Sequence, residues 1–455
     1  MTLGWAGLTV ALAGGAAWRV LPRPVTALLT STVARPPLTW WMVAVAAIVV
    51  AVVAWGATTG LLHVANAAKD PAAAQVEAIK TGLSIAAGTG GVFALLLAVR
   101  RQWHQEWVAA ATVTDAVARR ITEQYTKAAD QLGSDKAPVR LAGLYALERL
   151  AQDNPEQRPT MVQVLCAYLR MPYELPGALL GPVPDLKEVQ EHHDLVQERQ
   201  VRLAAQRILA IHLRPGPDPD HTVATFWPGT ILDLTDATLI DLDLTNCHLH
   251  APLVSGARFA GDAKFDGAQF AGDAMFDGAE FAGTVSFDGV RFAGDAMFHG
   301  AQFAWQAVFD GARFVADAKF GKARFAKVAV FDRAQFTAVA AFTEAEFGEN
   351  TRFNQAKFAG DTVFSKAQFA RSVSFDEVRF VGNAKFDGAE FAGTASFDGA
   401  RFAGDAMFHR AQFVADAKFD GAEFAGSVTF DEVRFVADAR FGKARFAKVA
   451  VFDRA

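Results

Sequence analysis

Residues 259–281, which decide the fold of this 455-residue chain, read FAGDAKFDGAQFAGDAMFDGAEF. Phenylalanine recurs here at alternating steps of six and five residues, and the alternation continues unbroken to Phe452. The stretch from Phe259 to Phe452 holds 36 of the 38 phenylalanines. The residue two positions before each is Ala in 28 cases, Val in six and Thr in two. A period this strict indicates a stack of small units that bury their apolar sides only against one another.

An α-helical array is the first alternative, since an 11-residue apolar repeat can form a right-handed coiled coil. On a helix, however, steps of five and six residues would place successive phenylalanines on different sides, and no apolar stripe would form. Blocks such as Ala260–Asp262 and Ala271–Asp273 also place Gly and Asp at regular intervals, which is typical of turns. The pattern therefore favours short strands joined by turns.

The segment just before this array has a strict period of five residues, with central positions Leu234, Leu239, Leu244, Leu249, Val254 and Phe259. The triplets Ala237-Thr238-Leu239 and Ala257-Arg258-Phe259 resemble the pentapeptide-repeat family, whose unit is a small residue, a polar residue, a central Leu or Phe, and two more small or polar residues. The resemblance implies a right-handed, four-sided parallel β-helix. In that fold the central residue and the small residue two before it point inward, and alternation of side chains along a strand leads to the same expectation.

The repeat also predicts the size of this solenoid. Four units with alternating steps give a coil of 22 residues, with Gly-Asp as the extra-residue turn, and 41 central positions give roughly ten coils with a length on the order of 50 Å. The segment Phe320–Ala334 recurs identically as Phe441–Ala455, which keeps the register. The sequence stops in mid-repeat with Phe446 and Phe452 near its end, so we expect a homodimer through the last coil.

The N-terminal region predicts membrane spans near residues 41–62 and 81–99, with a third, shorter apolar run at 3–18. No Lys or Arg precedes that run, which disfavours a cleaved signal peptide. Arginines lie at 19, 23 and 35 and again at 100 and 101. The positive-inside rule therefore predicts a multi-pass protein of the cell membrane with residues 19–38, and everything after residue 100, in the cytoplasm.

Residues 102–214 are charged and rich in Ala and Leu, and they predict a cytoplasmic α-helical region. One helix is expected to end at Gly133, a second to run from Ser134 or Asp135 to about Gln152, and a third from Asn154-Pro155 through Arg170, the last two as a HEAT-like pair. The stretches 125–136, 139–149 and 201–213 resemble segments that lie upstream of pentapeptide repeats in bacterial membrane proteins. With a linker at 215–228 and the solenoid at 229–455, the expected class is a multi-domain α+β protein.

Candidate chemistry is sparse. Glu191-His192-His193 lies in a charged helical stretch where adjacent residues do not face one site. His248 and His250 flank the inward Leu249, and two histidines without a third ligand are a weak indication of a zinc site. His299 and His409 are expected on the surface. Of the two cysteines, Cys166 and Cys247, the second lies at a small inward position, where we expect it to serve packing. We therefore expect no catalytic, cofactor-binding or metal residues, and no cofactor.

The functional expectation is a non-catalytic, membrane-anchored interaction or scaffold protein with an unknown protein partner. The alternative is a DNA mimic that inhibits or protects a topoisomerase, which needs a strongly negative rod. Residues 229–455 contain 31 Asp and Glu against 24 Lys and Arg, a net charge of 24 − 31 = −7. This balance is weak and mixed, so binding to nucleic-acid enzymes and to nucleic acid itself is disfavoured. A polysaccharide-acting β-helix would need convergent carboxylates, and an ice-binding surface would need Thr ladders.

Overall fold

A computed structural model describes residues 40–67, 71–177, 186–218 and 221–455, so the predicted span at 3–18 lies outside the described residues. The chain divides into two compact units between Val117 and Ala118. The helices are α1 Trp40–Asn66, α2 Pro71–Leu132, α3 Ala137–Asp153, a 3-10 helix Pro155–Gln157, α4 Arg158–Arg170 and α5 Leu186–Leu213.

In the first unit, α1 and the first part of α2 are long and apolar enough to cross a membrane, over Ala47–Asn66 and Ala72–Trp107. The two helices approach closely at Gly82, where a Cβ would lie 2.3 Å from Cγ2 of Thr58. Gly90 and Gly91 lie on a later turn of α2. No atom lies within 4 Å of a Cβ built at either, so among these three glycines the close contact is at Gly82.

In the second unit, α2 ends as the sequence predicts, with the Gly133 N–H donating to the Ala129 carbonyl at 3.0 Å. Helix α3 begins later than predicted, because Pro138 occupies its first turn and Lys136 is the N-cap residue. The Ser134 hydroxyl accepts the Lys136 N–H at 3.2 Å instead of capping the helix. Leu144 and Leu165 are fully buried where α3 and α4 pack together.

Residues from Leu232 onward form the four-sided parallel β-solenoid, and the predicted fold class is confirmed. We number its faces in chain order. Face 1 has ten strands: Thr238–Ile240, Arg258–Ala260, Glu280–Phe281, Gln302–Phe303, Arg324–Phe325, Glu346–Phe347, Gln368–Phe369, Glu390–Phe391, Gln412–Phe413 and Arg434–Phe435. Face 2 has nine: Ala263–Lys264, Val285–Ser286, Ala307–Val308, Ala329–Val330, Thr351–Arg352, Val373–Ser374, Ala395–Ser396, Ala417–Lys418 and Ala439–Arg440.

Faces 3 and 4 complete each coil. Face 3 has ten strands: His248–Leu249, Gln269–Phe270, Arg291–Phe292, Arg313–Phe314, Gln335–Phe336, Lys357–Phe358, Arg379–Phe380, Arg401–Phe402, Glu423–Phe424 and Arg445–Phe446. Face 4 has nine: Ala274–Met275, Ala296–Met297, Ala318–Lys319, Ala340–Ala341, Thr362–Val363, Ala384–Lys385, Ala406–Met407, Val428–Thr429 and Ala450–Val451.

The strand register confirms the predicted coil length. Ala296 pairs with Ala318, 22 residues further on, and this offset holds along the Phe array. The first coil is shorter because its steps are all of five residues, so Thr238 pairs with Arg258, only 20 residues away. The change from Leu to Phe therefore coincides with the change from a 20-residue to a 22-residue coil.

The solenoid core consists of stacked aromatic rings. Each Phe lies over the Phe one coil earlier, with ring centroids between 4.4 and 5.1 Å apart and interplanar angles of at most 14°. Rings on the opposite faces 2 and 4 meet edge to face, as Phe309 meets Phe320 at 5.4 Å. Before the last coil the small residue beside each ring is also buried, so both inward positions are confirmed.

The two kinds of step correspond to two kinds of corner. Five-residue steps turn on two residues, as in Asp266-Gly267, where the Ala268 N–H donates to the Phe265 carbonyl at 2.9 Å and Gly267 has φ +64°. Six-residue steps turn on three residues, as in 271–273, so the extra residue lies in the Gly-Asp block. The aspartate of such a corner joins coils: Asp273 Oδ1 accepts the Asp295 N–H at 2.9 Å.

The first prediction concerns the aromatic core. Phe331→Ala should destabilise the protein by about 3–5 kcal/mol, because it leaves a cavity in a ring stack with no room to collapse. Asp332→Asn should change stability by about 1 kcal/mol or less. Asp332 Oδ1 accepts the Asn354 N–H at 2.9 Å, a role that Asn354 plays one coil later, and the ion pair lost to Arg352, at 3.0 Å, is partly exposed. Urea unfolding of the full chain in detergent measures both. Equal midpoints for the two variants would contradict an inward Phe331.

The second prediction uses the two inward threonines. Thr362 is fully buried and its Oγ1 has no hydrogen-bond partner, whereas Thr351 Oγ1 donates to the Glu349 carbonyl at 3.3 Å. Valine already occurs at the equivalent inward position of both columns: Val428 in the column of Thr362, and Val373 in the column of Thr351. Thr362→Val should therefore stabilise the protein by about 1 kcal/mol, and Thr351→Val by clearly less. The same urea experiment tests this, and an equal gain for both would contradict it.

Candidate interaction surface

The strand of each repeat unit turns one side chain outward, and successive coils place these side chains in columns. On all four faces this residue lies between the buried small residue and Phe, as Lys264 lies between Ala263 and Phe265. The backbone of a buried stack fixes the spacing of each column at one coil, about 4.8 Å. The chemistry of a column is therefore set by one residue per coil.

Face 3 carries the most basic column, which we call the face-3 column: Gln269, Arg291, Arg313, Gln335, Lys357, Arg379, Arg401, Glu423 and Arg445. Its members from Gln269 to Arg401 are exposed. The equivalent face-1 column is mixed in charge: Arg258, Glu280, Gln302, Arg324, Glu346, Gln368, Glu390, Gln412 and Arg434. Faces 1 and 3 therefore share one geometry and differ in charge.

The face-3 column runs beside a shelf of small residues. After each Phe of this face from Phe270 to Phe424 come two residues with short side chains or none, as in Ala271-Gly272, Ala293-Gly294 and Ala403-Gly404. On face 1 the same two positions are interrupted by Trp305, which is 59% exposed, and in the next coil by Lys327. The shelf on face 3 is thus the smoother of the two.

Aspartates occupy the corners on both sides of face 3, and many of them bond to the next coil. Burial, with Asp310 and Asp266 one coil away on either side, raises the pKa of Asp288. Lys319 donates to Asp295 at 2.8 Å and this hydrogen bond lowers the pKa of the carboxyl. These corner carboxylates accept backbone N–H groups, so part of their hydrogen-bonding capacity is already used within the solenoid.

The face-3 column begins at a shallow groove of 340 Å³ beside the segment before the solenoid. Phe226 forms one wall and meets the His248 ring edge to face at 6.0 Å. Burial lowers the pKa of His248, and His250 and Arg291 also line the groove. No acidic residue lies in this lining.

The other candidate residues do not converge. His193 lies on α5 and contacts Gln197, one turn on, while His409 pairs with Asp431 at 3.2 Å. Among the residues that the structure describes, no three His, Cys, Asp or Glu side chains form a group that could hold a metal ion. The expectation that the chain has no catalytic, cofactor or metal site stays a prediction.

Both cysteines are buried. Burial raises the pKa of the Cys166 thiol to about 11 and of the Cys247 thiol to about 12. Cys247 occupies a small inward position, and its Sγ donates to the Ala210 carbonyl at 3.6 Å. The packing role expected of Cys247 agrees with this position.

Helix α5 covers the first coil, an arrangement that sequence reasoning missed. The first strand of face 1 has one strand neighbour, and its open side is closed by Gln206, which donates to the Ile240 carbonyl at 2.7 Å and accepts the Ile240 N–H at 2.8 Å. Ion pairs tie the helices to the same coil: Arg170–Asp233 at 2.5 Å and Arg199–Asp241 at 2.7 Å. The sequence feature that could have predicted this cap is Gln206 itself, a polar residue on the apolar side of the helix that directly precedes the repeats.

The segment between α5 and the solenoid is held by a buried aromatic pair. The His212 and Trp227 rings stack at 3.7 Å, and the Trp227 indole N–H donates to Gln152 at 2.8 Å. The His212 nitrogens face the Thr225 carbonyl at 2.6 Å and Glu148 at 2.9 Å. This part of 215–228, expected to be a linker, is therefore packed structure.

Comparison with protein families agrees with the geometry. A family model described as pentapeptide repeats (9 copies) matches residues 244–291, 255–302, 276–324, 320–368, 364–412 and 408–455. This segment belongs to the pentapeptide-repeat family. Comparisons with curated proteins and with solved structures give no match. The pentapeptide-repeat solenoid described above starts a few residues earlier, since Asp233 already bridges to Leu253.

The third prediction concerns the helical cap of the pentapeptide-repeat solenoid. Gln206→Leu should cost about 1–3 kcal/mol, because it leaves the Ile240 N–H and carbonyl without partners in a buried place. Gln200→Leu, at an exposed position of the same helix, should have little effect. Hydrogen exchange of the first coil should become faster in the first variant only. Unchanged exchange there would show that α5 does not close this edge.

Proposed function

We propose that this protein is a membrane-anchored, non-catalytic scaffold that presents its pentapeptide-repeat solenoid to a protein partner in the cytoplasm. The observation that carries the proposal is the division between a rigid, fully occupied core and regular outward columns. Phe and Ala fill the interior, so the variable residue of each unit is free to serve recognition. A repeat surface of this kind suits binding to an extended partner.

Membrane anchoring is supported by the exposure of apolar side chains on α1 and the first part of α2. Ile48 and Trp55 of α1 are 62% and 72% exposed, and α1 is apolar on all sides. Leu95 of α2 is 67% exposed. A helix that is hydrophobic all round needs either a protein core or a bilayer around it. The arginines at 100 and 101 support a cytoplasmic location for the residues that follow them.

A non-catalytic role is supported by the regularity of the described solenoid surface. Its charged residues pair along columns or across corners, as Arg324 pairs with Glu346 at 3.2 Å and Arg410 with Glu432 at 2.6 Å. Such pairs neutralise charge along the rod. A carboxylate that accepts from a cation in such a pair is stabilised in its charged form, which disfavours it as a general acid.

The test is a pull-down from membranes with a shortened solenoid. Deletion of residues 287–418 removes six 22-residue coils and joins Ser286 to Phe419 in register, because each coil contacts only its neighbours. We expect partners of the full chain to be lost or reduced with the short chain. A reporter fused after residue 101 should be cytoplasmic in both chains. Identical partner sets for the two chains would overturn the scaffold role.

The homodimer through the last coil stays a prediction. Phe446 and Phe452 of that coil are 37% and 46% exposed, whereas the phenylalanines of the inner coils are buried. Light scattering on the full chain in detergent, with and without Phe452→Glu, distinguishes a dimer through this coil from a monomer.

A further inference from the structure

We infer that face 3 of the solenoid binds an acidic α-helix of a partner protein, one that carries a carboxylate on each turn along one side. This rests on the proposed scaffold function and names the chemistry of its partner. Three observations lead to it: the charge of the face-3 column, its spacing, and the shelf of small residues beside it.

The charge of the column is free for a partner. Arg291, Arg313, Lys357 and Arg379 are exposed, and within the described residues none of the four has a carboxylate within ion-pair distance. Only toward the end of the column does Arg401 pair with Glu423, at 3.4 Å. A row of unpaired cations is complementary to a row of carboxylates.

The spacing of the column favours a helix over an extended chain. Relative to Arg291, the other cations lie about 4.8, 14, 19 and 24 Å along the solenoid, with Gln335 in the remaining place. On an α-helix, residues i+3, i+10, i+14 and i+17 lie about 4.5, 15, 21 and 25.5 Å along the axis from residue i and within about 100° of one another around it, so they share one side. Alternate residues of an extended strand advance about 6.7 Å each and lose register within two coils.

The surroundings of the column favour a narrow ligand. Ala293 and Val315 belong to the shelf, where a helix can lie close to the solenoid backbone. Aspartates at the corners, such as Asp288 and Asp295, would repel a broad anionic surface such as a duplex or an anionic membrane. The faces of the solenoid also have no open strand edges along their length, because each inner strand is paired on both sides, so strand addition is not available there.

The experiment measures binding of a fluorescein-labelled helical peptide to the full chain in uncharged detergent, by anisotropy. The peptide carries Glu at i, i+3, i+7, i+10, i+14 and i+17 with Ala and Gln elsewhere. A control peptide has the same composition with Glu spread around the helix. The face-3 variant is R291Q/R313Q/R379Q. The face-1 control, R258Q/R324Q/R434Q, changes net charge equally, and Gln already occurs in both columns.

We expect the face-3 variant to weaken binding of the striped peptide about tenfold and the face-1 variant by less than about twofold. Equal weakening by both variants would show that binding depends on the net charge of the protein and not on face 3, which would overturn the inference. Equal binding of the two peptides would overturn it as well. Tighter, arginine-dependent binding of an oligothymidylate or of phosphatidylserine vesicles would also overturn it, in favour of nucleic acid or lipid.

Failure of this inference is distinguishable from failure of the scaffold role. If the membrane pull-down loses its partners when coils are deleted but keeps them in the face-3 variant, the scaffold role stands and the acidic-helix inference is overturned. If the partners are lost in the face-3 variant and kept in the face-1 control, both are supported.

Discussion

The solenoid depends on the width of its interior, which holds one aromatic ring and one small side chain per unit. Rings stack at the spacing of the coils, so the 4.7 Å between Phe309 and Phe331 is close to the distance between hydrogen-bonded strands. Aromatic contact and backbone pairing are therefore satisfied by the same translation. Any larger residue at the small position would push the ring out of its stack, which explains why only Ala, Val and Thr occur there.

At the corners and at the first coil, backbone N–H and C=O groups lack strand partners and need other groups for their hydrogen bonds. Corner aspartates accept N–H groups of the next coil, and Asn383 replaces one of them without loss of the acceptor. At the first coil, Gln206 imitates a strand by both donating to and accepting from Ile240. Helix α5 is thus a structural cap and the solenoid a continuation of the helical region.

Because the core uses only two positions of each unit, the outward residue is released from packing and can vary between faces. Face 1 alternates charges that pair along the column, and face 3 keeps unpaired cations. The difference is not required for folding, since Gln is accepted in both columns. These outward residues are therefore the ones through which the solenoid can recognise a partner.

The sequence by itself determined the inward residues, because Phe and the small residue two positions before it share one face of a strand. The four-sided solenoid and its coil length followed from the resemblance of these units to pentapeptide repeats. The sequence also located α1, the long α2 and the end of α2 at Gly133, and it gave no convergent chemistry. Tertiary structure alone decided that α5 closes the first coil, that His212 packs on Trp227, and that the basic residues of every fourth unit form one column. These depend on which residues meet across 15 or more positions of the chain, and only the folded chain brings such positions together.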